Sequence, residues 1–440
     1  MGLTKRVLLL QEIADFMQSM DRLQLLLNST PEQLTEKYDI IHLGGSKMDF
    51  EPNTEQNDWI TRIQQFLVKN DLENAMKSES ERLPWHIREL AGQENLIGLD
   101  VSKEDGGHGV SDLTMGHIYE VCGRFGLNTR ELFGAGHGRL IANYGTKEQK
   151  EKYLPPLMRG EILIGAGLTE PTGGSDVGAF QTTAKRVGSS YIISGEKEWV
   201  NRIREAKVFV VFAKTDQELG AKGLSAFIVE MNDPNIKKYE YDALGLKGFS
   251  YGGFELDDVV VPTENLLGEE GQGFAIVNQH FNFVRNLVAL ISIGSAQMAL
   301  EQAIDFAKSR QAFGGPIGRF HSVMHKISEG ETTLEAARLL AYKSLVYLDK
   351  GKPNAKEAYM AKWFGTTSAY KVIDDALQIH GARGYIKDYG LEQRLRDVRA
   401  FLIADGSTEV MKSVLGRELL GKEVYNASYG RMTPKREKIV

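Results

Sequence analysis

The sequence is poor in cysteine: Cys122 is the only one among 440 residues. One thiol cannot close an internal disulfide, and no second thiolate is present to build a cysteine zinc site. The fold must therefore rest on a hydrophobic core, and a chain of this length with 42% hydrophobic residues can build one across two or three folding units. This cysteine usage fits a reducing compartment, so we expect a cytoplasmic protein without a metal site.

The chain also lacks an excess of basic residues. It has 53 lysines and arginines against 59 aspartates and glutamates, which gives a formal net charge of -6. A protein that binds nucleic acid needs a basic face to neutralise phosphates, so we do not expect a nucleic-acid partner.

No uninterrupted hydrophobic run is long enough to span a bilayer. The longest apolar segment, NLVALISIGSAQMAL at 286–300, is broken by Asn, Ser, Gly and Gln and is shorter than the roughly 20 residues that a spanning helix needs. In the first segment, MGLTKRVLLLQEIADFMQ, Glu12 and Asp15 follow a short apolar patch, and no small-residue cleavage site is present, unlike in a signal peptide. We predict no membrane span.

Hydrophobic periodicity divides the chain into helical, β and helical parts. Up to about residue 160, apolar residues recur every three or four positions, except in a polar stretch near residue 50 that is rich in Gly and Pro. From 161 to 265, short segments rich in β-branched and aromatic residues alternate with turn residues, which indicates strands. Helical patterns return at 272–309, 319–349, 354–380 and 407–421, and four such helices suggest a bundle.

We therefore predict an α+β protein with an N-terminal helical domain, a middle β-barrel-like domain and a C-terminal four-helix bundle, after a short helical extension. Junctions between such domains favour a binding cleft. The predicted boundaries are 1–52 for the extension and linker, 53–160 for the N-terminal domain, 161–271 for the middle domain, 272–425 for the bundle and 426–440 for a tail.

Two motifs of the predicted β domain are candidate ligand contacts. GLTEPTGGSDVGAF at 167–180 offers backbone N–H groups and hydroxyls to an anion or a polar ring edge, although a plain cluster of β-turns has the same composition. Trp199, in GEKEWVNRI, lies at a strand end, where its ring can stack on a flat cofactor; core packing is the alternative.

Three further motifs lie in the C-terminal helical part. Arg310 and Phe313, in RQAFGGPIGRFH, either hold a phosphate and an aromatic base or simply end a helix. The glycines of QIHGARGYIKDYG allow the backbone to approach a ligand closely. In IADGSTEV, Ser407 fits an N-cap and Glu409 a first-turn acid, and on this local pattern alone Asp405 is a turn aspartate.

Taken in order, these motifs resemble the acyl-CoA dehydrogenase family of flavoproteins, and the likeness extends from about residue 53 to 425. KEDGGHG, YGTKEQKEKYLPPLMRGE and VVVPTENLLGEEGQGF add to it. The resemblance implies FAD as the cofactor. It also implies a homodimer or a homotetramer built from dimers, in which the bundle of one subunit completes the FAD site of its neighbour.

The resemblance assigns two sets of site residues. Those matched to the FAD site are Thr169, Ser175, Trp199, Asn201, Ser407 and Glu409 in one subunit, with Arg310, Phe313, Gln378 and Gly381 reaching the neighbour's FAD. Those matched to the substrate site are Ser175, Asn282, Arg285, Gly406 and Arg417.

The implied reaction is α,β-dehydrogenation of an acyl thioester that is carried by CoA or by an acyl carrier protein. A carboxylate removes the α proton while the β hydrogen leaves as hydride to flavin N5. The base position falls at Asp405, whose backbone N–H is matched to a donor that polarises the thioester carbonyl. Electrons would pass to an electron-transfer flavoprotein or to oxygen. An oxidase or monooxygenase of the same fold, or a non-catalytic assembly partner, is the alternative.

Several positions depart from the family pattern. Asp405 stands where glutamate is usual, and Val284, at the position where some members carry their base, cannot ionise. Asn282 replaces an acid often found beside the pantetheine arm, and LGLKGFSYGGF lacks the usual Arg-Gly-Ser. These changes suggest an unusual acyl group or carrier, with the N-terminal extension docking the carrier or bracing the fold. His137 lies in a Gly-rich loop, where a structural or solvated histidine is common.

Overall fold

A computed structural model describes residues 50–72, 84–421 and Val424 of the chain. The predicted extension lies outside the described residues except for 50–52, and so does the predicted tail at 426–440. From Phe50 onward the described residues belong to one compact unit. Helices come first, a sheet follows and helices return, which confirms the predicted order of elements.

In the described part of the chain five α-helices precede the sheet, and capping boxes mark where two of them begin. Helix α1 starts with a capping box, in which Asn53 and Gln56 each accept the other's backbone N–H at 2.9 Å. Helix α5 starts with the same motif, and the Gln149 side-chain amide there also donates to the carbonyls of Glu264 (2.7 Å) and Leu266 (2.9 Å), which ties α5 to the sheet domain. The five helices are α1 (Thr54–Lys69), α2 (Trp85–Gln93), α3 (Asp112–Phe125), α4 (Gly138–Tyr144) and α5 (Lys147–Met158).

The middle of the chain forms one eight-stranded sheet in the order β6-β7-β3-β2-β4-β5-β8, with β1 pairing in parallel with β4. Six of these strands match the predicted segments, whereas β6 and β8 were not anticipated. The strands are β1 (Leu163–Gly167), β2 (Thr183–Val187), β3 (Ser190–Asn201), β4 (Ala206–Lys214), β5 (Leu224–Glu230), β6 (Ile236–Tyr241), β7 (Tyr251–Pro262) and β8 (Leu266–Leu267).

Strand β4 is buried on both faces, which is why its sequence AKVFVVFAK is almost continuously apolar. Phe209 and Val211 belong to the larger core cluster, which the sheet shares with the C-terminal helices. Val210 and Phe212 belong to a second cluster shared with α4 and α5. Since side chains alternate along a strand, this one strand joins both halves of the hydrophobic core.

Among the described residues, the C-terminal part contains one helix more than the four that the sequence predicts. Helix α9 was not counted because its sequence, LEQRLRDVRAF, is dominated by charged residues; its buried face is formed by Leu391, Asp397, Val398 and Phe401. The five helices are α6 (Gly273–Ser309), α7 (His321–Asp349), α8 (Ala355–His380), α9 (Leu391–Phe401) and α10 (Thr408–Leu420). A short hairpin, β9 (Gln311–Ala312) and β10 (Gly315–Pro316), joins α6 to α7.

Helix α6 is the central element of the bundle. Its sequence contains the longest apolar segment, and of the described helices it alone is long and apolar enough to cross a membrane by length and composition. In this protein 72% of its apolar window is buried, because α3, α7 and α8 pack around it. This burial is what a core helix requires.

Helices α3 and α6 cross at two glycines that let their backbones meet. A Cβ added to Gly294 would lie 1.9 Å from the carbonyl oxygen of Glu120, and one added to Gly123 would lie 2.0 Å from that of Ile291. Both added atoms would meet backbone rather than a flexible side chain, so the helices would have to separate. The crossing therefore requires glycine on both helices.

Replacing Gly294 by alanine should lower the free energy of unfolding by about 2–3 kcal/mol, because the added methyl group overpacks this crossing. Urea unfolding measures the change. Gly416→Ala on α10 is the matched control: no heavy atom lies within 4 Å of its added Cβ, so helix propensity should raise stability by about 0.5–1 kcal/mol. Equal effects of the two substitutions would show that the crossing tolerates a side chain.

Candidate functional site

A cavity of about 1080 Å³ lies where the sheet meets α6, α9 and α10. Its volume slightly exceeds the ~300–1,000 Å³ typical of ligand sites, so it has room for more than a single small ligand. Residues from the ends of β1 and β3, the first half of α6 and the turn after α9 line it. The structure places these predicted site residues in the lining: Thr169, Ser175, Trp199, Asn201, Arg285, Asp405, Gly406, Ser407 and Arg417.

Asp405 lies in the turn between α9 and α10 with a left-handed φ of +55°. Aspartate tolerates this region better than most residues, yet the conformation stores strain of about 1–3 kcal/mol that the surroundings must hold. Gly406 follows with φ +97°, and a Cβ there would lie 2.4 Å from Met411 Cε. Ser407 then caps α10, its side chain accepting the Val410 N–H at 3.3 Å.

Two buried cations hold this turn by its backbone. Arg285 on α6 donates from Nε to the carbonyl oxygen of Asp405 at 3.2 Å. Lys362 on α8 donates from Nζ to the carbonyl oxygen of Gly406. Among the described residues, none forms a hydrogen bond with the Asp405 carboxylate or with its backbone N–H. The turn is thus fixed while both groups stay available to a ligand.

The charges around Asp405 act on its pKa in opposite directions. Burial raises the pKa of the carboxyl, while Lys362 and Arg285 lower it by favouring the anion. Burial also lowers the pKa of Lys362 to about 8, although Asp405 opposes that change. Near neutral pH, Lys362 is therefore mostly charged, and Asp405 is a stronger base than an exposed aspartate.

Arg285 and Asn282 have different positions, although the sequence comparison assigned both to the substrate site. Arg285 lines the cavity, with its guanidinium 5.6 Å from the ring centre of Phe281 and 5.3 Å from that of Tyr359. Asn282 is not among the lining residues; its Oδ1 accepts from Arg285 Nη1 at 2.8 Å. Asn282 therefore orients the arginine that holds the Asp405 turn.

A buried ion pair holds the Gly-rich loop that follows β1. Lys197 Nζ lies 2.7 Å from Glu170 Oε1, and both side chains are buried. Glu170 also accepts the backbone N–H groups of Gln181 (2.5 Å) and Thr182 (3.0 Å) at the far end of the loop. Lys197 donates to the Leu168 carbonyl at 3.1 Å. The loop is therefore closed at its base and presents Thr169 and Ser175 to the cavity.

Trp199 presents a flat aromatic surface at the cavity. It has a left-handed φ of +59°, is 50% exposed, and stacks on Tyr241 with ring centres 5.2 Å apart. Strained backbone of this kind is concentrated at the site: of the eight described non-glycine residues with positive φ, four line the cavity. These four are Trp199, Arg202, Leu246 and Asp405.

Five predicted cofactor residues lie outside the cavity of their own chain. They are Arg310, Phe313, Gln378, Gly381 and Glu409, and all five are exposed. Phe313 is 90% exposed at the tip of the β9–β10 hairpin, with φ +51°.

Sequence patterns missed Lys362, Arg130 and Arg202, and they indicated only a structural or solvated role for His137. Lys362 has no local signal beyond a charge in the apolar run YMAKWF of α8. His137 lines the cavity, and its Nδ1 lies 3.0 Å from Nε2 of the buried His280. Arg130 and Arg202 add two positive charges to the lining. These residues come from segments that are far apart in sequence, so only the tertiary structure shows that they belong to one site.

The donor set of the cavity fits a flavin cofactor. The hydroxyls of Thr169 and Ser175, the amide of Asn201 and the flat ring of Trp199 line one continuous space. A dinucleotide with an aromatic ring system needs polar donors and a stacking surface together. The described residues contain no group of three or more His, Cys, Asp or Glu side chains that could hold a metal ion.

Three family models match the chain in succession. They describe the N-terminal, middle and C-terminal domains of acyl-CoA dehydrogenases and match residues 53–161, 165–259 and 271–420.

Full-length relatives agree with these matches. A 3-(aryl)acrylate reductase from Clostridium sporogenes is 36% identical over 83% of this chain and 99% of its own length. The solved structure of butyryl-CoA dehydrogenase from Megasphaera elsdenii has a TM-score of 0.81 at 30% identity and covers 85% of this chain and 100% of that one. The prolyl acyl carrier protein oxidase AnaB has a TM-score of 0.79 at 29% identity, with 84% and 100% covered. The chain belongs to the acyl-CoA dehydrogenase family, FAD-containing oxidoreductases that act on CH–CH bonds.

Proposed function

We propose that this protein is an FAD-dependent acyl-thioester dehydrogenase in which Asp405 removes the α proton. The observation that carries this proposal is the Asp405 turn: two cations bind its carbonyls, while its carboxylate and N–H stay available in the cavity. FAD, when bound, accepts the β hydrogen as hydride. The alternative of a non-catalytic relic has less support, because strain and buried charge of this kind are concentrated where chemistry occurs.

Asp405 would perform two tasks from one backbone position. Its carboxylate accepts the α proton, and burial raises its pKa towards the range useful to a base at neutral pH. Its backbone N–H donates to the thioester oxygen, where negative charge develops as the α proton leaves. Arg285 and Lys362 keep the turn from moving during transfer, so the donor needs no reorganisation.

The carrier of the acyl group is CoA or the pantetheine arm of an acyl carrier protein. Arg417 lines the cavity from α10, on an exposed part of the helix, where it can meet the polar tail of either carrier. Solved relatives include one named for a CoA thioester and one named for a carrier protein. In our proposal the electrons pass from FAD to an electron-transfer flavoprotein. We also propose that the protein is located in the cytoplasm.

Oxygen is the second candidate acceptor, which would make the protein an oxidase. Half of the Trp199 surface is exposed in the described chain, so small molecules can reach this side of the cavity. Oxygen uptake that is stoichiometric with substrate, in the absence of any flavoprotein partner, would favour the oxidase over the dehydrogenase.

The subunits share their FAD sites in this proposal, as dimers or as tetramers of dimers. Arg310, Phe313, Gln378 and Gly381 do not line the cavity of their own chain, and the exposed ring of Phe313 is accessible to a neighbour. The adenosine diphosphate part of a neighbour's FAD would supply an aromatic ring for Phe313 and phosphates for Arg310.

Asp405→Asn should slow anaerobic flavin reduction by acyl thioesters about 1,000-fold, because loss of a positioned base typically costs ~10²–10⁴ in rate. Stopped-flow absorbance of the flavin measures it. Asp405→Glu keeps a carboxylate and should lose no more than about 100-fold through misplacement. Asp388→Asn, an exposed aspartate of the same bundle, is the matched control. Equal rates for wild type and Asp405→Asn would exclude Asp405 as the base.

The rate of flavin reduction should rise with pH through the pKa of Asp405, because only the anion accepts a proton. Lys362 lowers that pKa, so Lys362→Met should move the rising limb to higher pH. Lys362→Arg keeps the charge and should leave the limb close to that of the wild type. Single-turnover rates between pH 5 and 9 measure the limb. A shift to lower pH in Lys362→Met would contradict this assignment of charges.

Shared FAD sites predict complementation between two defective chains. Asp405→Asn removes the base of its own site, and Phe313→Ser weakens the FAD site of the neighbour. Co-expression of the two chains should restore activity in about one quarter of the sites, because mixed dimers contain one intact site. Differential tags allow purification of the mixed oligomer. If Phe313 instead served its own chain, mixed oligomers would show no more activity than either parent.

A further inference from the structure

The wall of the cavity contains a histidine pair that proton abstraction by Asp405 does not use. His137 lies just before α4 and lines the cavity, and His280 lies on α6 behind it, 4% exposed. Their rings meet through His137 Nδ1 and His280 Nε2 at 3.0 Å. A buried histidine paired with a half-buried one at a ligand cavity requires an explanation, because burial of polar groups must be offset by specific hydrogen bonds.

Both rings are neutral near pH 7. Burial lowers the pKa of His137 well below its ordinary value, and the charges of Arg202 and Arg130 lower it further. Burial likewise lowers the pKa of His280, with contributions from His137, Arg139 and Arg202. Each ring therefore has one proton, which can occupy either nitrogen.

The surroundings of His280 decide which nitrogen is protonated in each ring. His280 Nδ1 is buried and has no hydrogen-bond partner among the described residues. A buried N–H without an acceptor is rarer and more costly than a bare acceptor nitrogen, so the proton of His280 lies on Nε2. His280 then donates to His137 Nδ1, which must be bare. His137 therefore has its proton on Nε2, and its Nε2–H is a donor.

That donor has no acceptor in the described part of the protein, because the bond to His280 is the only hydrogen bond of the His137 ring. The other polar groups of this wall do not supply one. Asp100 lines the cavity too, but its carboxylate accepts from the Ala135 N–H (2.7 Å) and from Arg139 (3.2 Å). Arg130 and Arg202 are donors only. The complementary ligand group is thus a hydrogen-bond acceptor.

We propose that the acyl group has a carbonyl or carboxylate oxygen beyond its two reacting carbons, and that this oxygen accepts a hydrogen bond from His137 Nε2–H. His137 is a specificity residue in this inference. His280 is a positioning residue, because it acts by fixing the tautomer of His137. The inference rests on the proposed function, since it concerns the substrate of the same site.

The test compares acyl thioesters that differ by one ketone oxygen, since a ketone can only accept hydrogen bonds. Matched pairs are pentanoyl with 4-oxopentanoyl, hexanoyl with 5-oxohexanoyl, and heptanoyl with 6-oxoheptanoyl. Glutaryl and adipyl thioesters test a carboxylate oxygen in the same way. Binding is measured by calorimetry in the FAD-loaded Asp405→Asn variant, where turnover does not interfere. The kcat/KM for flavin reduction is measured in the wild-type protein and in the histidine variants that retain Asp405.

For at least one position of the oxygen, the oxo thioester should bind about tenfold more tightly than its plain partner. His137→Phe should remove this preference, whereas His137→Gln, which keeps an N–H donor, should retain part of it. His280→Leu should weaken the preference and His280→Gln, which can still donate to His137 Nδ1, should restore it. His86→Gln, at an exposed histidine of α2, is the control for histidine replacement.

The inference would be overturned by no preference for any oxygenated thioester, or by a preference that survives in His137→Phe. Loss of binding by plain and oxo thioesters alike in His137→Phe would also overturn it, because His137 would then serve the cofactor or the fold. Failure of the proposed function looks different. In that case none of the thioesters, plain or oxygenated, reduces the flavin of the wild-type protein.

Discussion

The site depends on two hydrogen bonds from buried cations to consecutive backbone carbonyls. Arg285 reaches the carbonyl of Asp405 from α6, and Lys362 reaches that of Gly406 from α8. Asp405 has a left-handed backbone, which an unrestrained turn would leave at a gain of about 1–3 kcal/mol. Helices α6 and α8 form the largest helix contact of the bundle, so the core itself holds the donors in place. The geometry of the Asp405 turn therefore depends directly on how helices α6 and α8 pack.

These bonds go to the backbone, and that choice has an electrostatic consequence. A cation that bound the Asp405 carboxylate directly would stabilise the anion and weaken it as a base. With the cations on the carbonyls, burial raises the pKa of Asp405, while Lys362 and Arg285 limit that rise from nearby. Lys362 is itself buried, and this burial lowers its pKa to about 8. The turn is held through its backbone carbonyls, and no described residue forms a hydrogen bond with its carboxylate.

The sequence predicts local structure well and tertiary partners poorly. Strands β1 to β5, the long helices and the Ser407 cap follow from patterns within a few residues. Hydrophobic periodicity does not predict helix α9, because its many charged residues leave only a narrow apolar face. Lys362 is 44 residues from Gly406 in sequence, and His137 is 143 residues from His280. No periodicity or turn rule links residues so far apart. Only the order of several motifs predicts Asp405 as the base, since the local sequence pattern of its turn is ordinary.

The short side chain of Asp405 now has a structural context. The hydrogen bonds from Arg285 and Lys362 fix the backbone of the turn, and so they fix where the Asp405 side chain begins. They do not lengthen that side chain, which is one methylene shorter than that of a glutamate. If Asp405 is the base, as we propose, the α carbon of the substrate must come closer to the α9–α10 turn than a longer base would require. Val284 lines this cavity without an ionisable group, so it cannot act as the base in place of Asp405.

An acyl group anchored at both ends, by the Asp405 N–H at its thioester and by His137 at an oxygen further along, would be held at a defined depth. Such a second anchor lets a short base work without a second carboxylate, since positioning alone can supply several kcal/mol of the barrier.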